Sequence, residues 1–130
     1  EELYLDKSQL NAEFDRCLQC PSKPCTKACP AAVSPKDFIA AAKSGDWQGA
    51  AKLIGDKNPL GEVCGLVCPE HFCMHSCIRA KIDAPVRIPA LQAAIMQNAR
   101  QKNLPLLQNV SANGYKIAII GAGPAGCGAA

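Results

Sequence analysis

Eight of the nine cysteines in this sequence fall into two short runs, and their spacing is that of thiolates gathered around something inorganic. The first run, Cys17-Leu18-Gln19-Cys20-Pro21-Ser22-Lys23-Pro24-Cys25-Thr26-Lys27-Ala28-Cys29-Pro30, reads C-x2-C-x4-C-x3-C with a proline after the last cysteine. The second reads Cys64-x3-Cys68-Pro69-x3-Cys73-x3-Cys77. Gaps of this size let several thiolates of one loop converge on a small core, and sulfur donors select zinc or iron–sulfur clusters. A disulfide framework is a poor fit, because nine is an odd count and no signal peptide precedes it. Zinc knuckles usually come in C-x2-C pairs, and only Cys17 and Cys20 have that spacing. His71 and His75 flank Cys73 and could serve zinc, but the thiolates already suffice, so both read as surface positions or as supports to the ligands.

The proline after Cys29 resembles the run of two-cluster ferredoxins, whose fourth cysteine ligates the other cluster. The two runs are therefore expected to interleave around two iron–sulfur clusters. Two ligand partitions stay open at this point: each run closes its own cluster, or Cys29 and Cys77 cross over.

A second constellation lies at the C-terminal end. Tyr115-Lys116-Ile117-Ala118-Ile119-Ile120 has the alternation and branching of a buried strand, and Gly121-Ala122-Gly123-Pro124-Ala125-Gly126 follows it directly. A G-x-G-x-x-G segment after a strand is the dinucleotide-binding fingerprint: the glycines permit a tight turn, close approach of pyrophosphate, and helix–strand packing. Gly121, Gly123, Pro124, Ala125 and Gly126 are the candidate cofactor-binding residues. The ribose-binding acid expected about 20 residues later falls beyond this sequence, which reads as a piece of a longer protein.

The elements that must position these residues are mostly helical. A helix capped by Ser8 and covering about 9–18, with Leu10, Phe14 and Leu18 on one face, delivers Cys17. Ser34-Pro35-Lys36-Asp37 starts a second helix that ends at Gly45, and Asp46 caps a third that closes at Gly55. Phe38, Ile39, Ala42, Trp47, Ala50, Ala51 and Ile54 form the seam of that hairpin, which spaces the two cysteine runs. Residues 56–61 read as a turn, and a last helix runs from Ile88 to about Lys102 with Pro89 near its first position. Arg79 and Lys81, just after Cys77, read equally well as offsetting the negative charge of a thiolate-bound cluster or as a solvated pair of charges.

Charge and length narrow the function. The 130 residues carry a net charge of +3, which gives no reason to invoke nucleic acid or an acidic membrane surface. No apolar run reaches the roughly 18 residues that cross a bilayer.

With cluster loops, linker and glycine fingerprint in that order, the sequence resembles the N-terminal iron–sulfur domain shared by dihydropyrimidine dehydrogenases and the small subunit of glutamate synthase. The segments CLQCPSKPCTKACP, NPLGEVCGLVCP and KIAIIGAGPAG carry the resemblance, and the second leans towards the dihydropyrimidine dehydrogenase side. The resemblance implies that Cys17, Cys20, Cys25 and Cys77 hold one [4Fe–4S] cluster, and that Cys29, Cys68, Cys73 and the side chain of Gln92 hold the other. Gln92 falls in Pro89-Ala90-Leu91-Gln92, where the family has G-G-L-Q. Cys64 and Cys127 match no ligand position and are expected to be inert.

The fold implied is mainly α: a helical two-[4Fe–4S] cluster domain over 1–102, a linker over 103–114, and over 115–130 the first β-strand and glycine loop of a truncated Rossmann-type domain for FAD or NAD(P). The function implied is electron transfer within an NAD(P)H- and FAD-dependent oxidoreductase, with the clusters serving a flavin-containing catalytic domain or subunit in the cytoplasm. Any oligomer would form through the parent enzyme, and no catalytic residue is visible. The alternative is a zinc-stapled interaction module that docks a flavoprotein to its partner.

Overall fold

The computed structural model describes residues 3–106 and 111–130; Glu1, Glu2 and residues 107–110, which fall within the expected linker, lie outside the described residues. Helix α1 (Lys7–Arg16) starts two residues earlier than Ser8 would allow. Asp6 accepts from the Gln9 N–H at 2.7 Å, and the Gln9 side chain accepts from the Asp6 N–H at 2.9 Å. That reciprocal box satisfies two N–H groups at once, which a Ser8 cap does not. At its far end Cys17 turns extended (φ −70°, ψ 119°), so Leu18 leaves the helix and stands 43% exposed rather than on the core face.

Helix α2 (Pro24–Ala28) is a single short turn inside the first cysteine run. Helix α3 (Pro35–Lys43) begins where the Ser34-Pro35 signal placed it. Ser34 makes no side-chain cap, however; its Oγ lies 3.1 Å from Thr26 Oγ1 and ties α2 to α3. Gly45 takes φ +92°, a left-handed turn that costs a glycine little, and leads into α4 (Trp47–Gly55). Asp46 caps α4 by accepting from the Gly49 N–H at 2.8 Å.

Helix α5 (Gly61–Val67), in the stretch where the sequence suggested only a turn and a cysteine loop, runs as far as Cys68. A 3-10 turn, Ile78–Lys81, follows Cys77. Helix α6 (Ile88–Gln101) is the hub, packing on α3, α4 and α5. Phe38, Ile39, Ile54, Leu91 and Ile95 are fully buried where α3, α4 and α6 meet. Trp47 is at the margin of this core, set edge-on to Phe14 with ring centroids 6.1 Å apart. The α5–α6 contact is close because Gly65 has no side chain: a Cβ there would lie 2.6 Å from the Ala93 nitrogen and 2.8 Å from the Pro89 oxygen.

The expected first strand is corrected. Among the described residues there is no strand, and 115–120 runs unpaired, with Tyr115, Ile117 and Ile120 exposed by 81%, 85% and 100%. The alternating apolar pattern suits a strand covered on both faces in a parallel sheet. A strand exists only through hydrogen bonds to a neighbouring strand, and none borders this segment. The observed fold is mainly α, and helix α7 (Pro124–Ala129) closes the chain after the glycines.

Candidate metal centre

The cysteine loops are held in shape by three residues in a left-handed conformation, Gln19 (φ +50°), Lys23 (φ +46°) and Ala32 (φ +52°). Each sits at a bend between or just after cysteines, and each costs about 1 kcal/mol or more in a residue that carries a Cβ. These bends fold the first run so that its four cysteines do not all face one way. Cys17, Cys20 and Cys25 line one cavity together with Cys77 of the second run. Cys29 lines a second cavity together with Cys68 and Cys73, and Gln92 of α6 forms part of the same wall. Cys64, one turn before Cys68 on α5, lines this second cavity as well.

The two walls differ in character. The first cavity includes Lys23, Lys36 and Arg79 among Leu18, Ile39, Ile78, Val86 and Ile88. Two of those cations are already matched: Lys23 reaches Asp37 at 2.7 Å, and Arg79 grips Asp83 through Nε at 2.8 Å and Nη2 at 2.7 Å. The Lys23 hydrogen bond lowers the Asp37 pKa, and the Arg79 guanidinium holds Asp83 far below the usual carboxylate range. Lys81 is exposed and takes no part in either wall. The second cavity is lined by no charged residue. There Gln92 donates from Nε2 to the Gly61 carbonyl at 2.7 Å, which fixes the amide against α5.

Burial dominates the thiols' chemistry. It raises the pKa of Cys17, with Cys77 and Cys20 adding to the shift, and of Cys25, with Cys17 and Cys77 adding. It raises Cys68, with Cys29 and Cys64 adding, and pushes Cys73 up to about 12, with Cys68 and Cys29 adding. These four thiols thus respond to members of their own cavities. Buried thiols of this kind ionise only when something positive replaces the proton, and a thiophilic metal does so outright. The nine cysteines are all free. As a donor set, soft sulfurs in apolar walls fit an iron–sulfur cluster.

A group of residues that carried no signal of function in the sequence braces the first cavity. Glu13 is buried and accepts from Arg16 Nη1 at 3.0 Å and from the Arg87 N–H at 3.0 Å. Arg16 in turn donates to Asp83 Oδ1 at 3.2 Å and to the Ala84 carbonyl. The network ties α1, which delivers Cys17, to the segment carrying Val86 and Ile88. Only the Glu13/Arg16 spacing of three was readable beforehand; the partners lie about 70 residues away. His71 and His75 are exposed and line neither cysteine cavity. Cys127 is exposed, its Sγ 3.4 Å from the Ala122 carbonyl.

In the glycine segment, Gly121 has φ +112°, and a Cβ on Gly126 would lie 2.0 Å from the Gly121 oxygen. Both positions therefore require glycine for the backbone to fold as it does. Gly123 is the N-cap of α7, Pro124 its first residue and Ala125 its second, and all three are exposed.

A family model described as dihydropyrimidine dehydrogenase domain II, 4Fe-4S cluster, matches residues 1–104. The NAD-dependent dihydropyrimidine dehydrogenase subunit PreT of Escherichia coli (strain K12) is 43% identical over 115 residues, covering 88% of this chain and 28% of that protein. PreT of Salmonella typhimurium (strain LT2) is 44% identical over 115 residues, with the same shares. The chain thus spans 28% of the length of the curated relatives it matches.

Proposed function

From the premise that this chain belongs to the dihydropyrimidine dehydrogenase domain II, 4Fe-4S cluster family, we propose that it is an electron relay built on two [4Fe–4S] clusters. One is held by Cys17, Cys20, Cys25 and Cys77, and the other by Cys29, Cys68, Cys73 and Gln92. The observation that carries this reading is that the thiols sort into two cavities cutting across the two sequence runs, with Cys29 and Cys77 exchanged. Gln92 belongs with the second set because its Nε2 is engaged by Gly61, which leaves Oε1 to meet the metal. When bound, the clusters supply one-electron redox chemistry. The chain's own residues supply thiolates, exclude water with Ile39, Val86, Ile88 and Phe72, and place N–H donors such as Gln19 and Thr26 near sulfur.

The cluster domain occupies 1–102 in this reading and 103–114 links it onward. Residues 115–130 open a domain for FAD or NAD(P), with Gly121, Gly123, Pro124, Ala125 and Gly126 at the pyrophosphate. The φ of Gly121 and the close Gly121–Gly126 approach support that assignment. The parent is an NAD(P)H-dependent oxidoreductase in which a flavin-containing domain or subunit exchanges electrons with the clusters. The matched relatives favour a dihydropyrimidine dehydrogenase type over a glutamate synthase type. Nine free thiols suit a reducing cytoplasm.

Iron and acid-labile sulfide analysis of anaerobically purified protein tests the reading, with about eight of each expected per chain. Zinc with no visible absorbance would replace it with the stapled-module alternative. Cys77→Ser is expected to alter the EPR signal of one cluster and Cys29→Ser that of the other. If Cys29→Ser and Cys17→Ser disturb the same signal, the runs do not cross.

A further inference from the structure

Gln19 stands at the left-handed bend between Cys17 and Cys20, half-buried, where glycine or asparagine would be the easier residue. The bend turns its side chain back over the preceding cysteine, and its Nε2 donates to Cys17 Sγ at 3.3 Å. Among the described residues it is the only side-chain amide that reaches a cysteine sulfur. Nothing in the C-x2-C spacing demands this, since the spacing needs only a residue that can make the bend.

We propose that Gln19 sets the reduction potential of the cluster held by Cys17, Cys20, Cys25 and Cys77 through this N–H···S hydrogen bond, an inference that rests on the two-cluster reading above. The reduced form carries one more negative charge, shared with the ligand sulfurs, so a donor at Cys17 Sγ favours reduction. The second cavity has no equivalent among the described residues: of its two amides, Gln92 gives its N–H to the Gly61 carbonyl and Asn58 accepts from the Leu60 N–H, and neither donates to a cysteine sulfur. Gln19 is therefore a lever on one cluster alone, and it adjusts the driving force between the two.

The test is a potentiometric EPR titration of the cluster-loaded protein in wild-type, Gln19→Gly and Gln19→Lys forms, with iron content measured on each. Glycine removes the donor but keeps the backbone N–H and adopts the same φ without strain, so the loop keeps its shape. The expected result is a first-cluster reduction equilibrium about tenfold less favourable in Gln19→Gly, which for one electron is a fall of about 59 mV. The second cluster should not move, and Gln19→Lys, which restores an N–H donor, should recover the wild-type potential or exceed it. Equal first-cluster potentials in wild type and Gln19→Gly would overturn the inference while leaving the two-cluster reading intact, as would equal shifts in both clusters. A wild-type protein without two clusters per chain would sink the reading and the inference together.

Discussion

At the scale of single residues, Asp83 shows how a surface carboxylate becomes structural. It accepts from Arg79 twice, from the Ala84 N–H at 2.6 Å and from Arg16 at 3.2 Å, so it joins the turn after Cys77 to the helix before Cys17. The Arg79 hydrogen bonds are the largest cause of its lowered pKa, followed by the Ala84 N–H. The folded pKa lies below the unfolded value of about 3.9, so the folded state binds the proton less tightly. The stabilisation is present above about pH 4 and is lost as pH falls through the acid range. At pH 6 the Asp83→Asn protein is expected to melt below the wild type, and that gap should narrow steadily as the pH drops below about 4. A gap of constant size from pH 6 to pH 3 would show that the charge does not matter.

At the scale of elements, the contact that decides the second cavity is α5 on α6. Gly65 faces the backbone of Ala93 and Pro89, and no side chain there can move aside to admit a methyl group. Gly65→Ala must therefore push the helices apart, and overpacking of this kind costs about 1–3 kcal/mol. Cys64 and Cys68 ride on and just beyond α5, whereas Gln92 rides on α6, so separation also widens their cavity. The expected outcome is a lower unfolding midpoint and, on the proposed two-cluster reading, an altered EPR signal for the cluster assigned to Cys29, Cys68 and Cys73 with the other unchanged. Wild-type stability with both signals intact would mean that the helices have slack at this contact.

At the scale of the molecule, the apolar core and the cysteine loops are different kinds of structure. The α3–α4–α6 contact buries Phe38, Ile39, Ile54, Leu91 and Ile95 at its centre, while the cysteines, apart from the buried Cys73, pack only at the edge of this core. The loops on either side carry three left-handed residues and eight thiols, Cys73 buried and the others half-buried, which in the proposed reading the clusters hold together. Removing iron is expected to free 17–34 and 64–86 while leaving 38–54 and 91–96 protected, as read by amide hydrogen exchange on iron-free protein. Uniform loss of protection across both sets would mean that the core, too, depends on the clusters. Among the described residues no helix is long and apolar enough to cross a membrane.

The sequence by itself determined the chemistry and most of the helices, because both are local. Thiolate spacing, the Ser34-Pro35 start, the Asp46 cap and the apolar rhythm of 88–101 each depend on residues within a few positions of one another. It erred where a neighbour had to be known. Residues 115–120 found no strand to pair with; the Asp6–Gln9 box that displaced the Ser8 cap is, by contrast, local and legible as D-x-x-Q. Helix α5 was hidden because two glycines and a cysteine argue weakly for a helix, and its reason for forming is the flat face it offers α6. Which cysteine shares a cavity with which was open on spacing alone. Three left-handed bends and the fold of α5 onto α6 set that grouping, since they bring residues some 50 positions apart to the same wall. Gln19 over Cys17 and Glu13 beneath Arg87 belong to the same class, for a side chain's direction is fixed only when the backbone around it has folded.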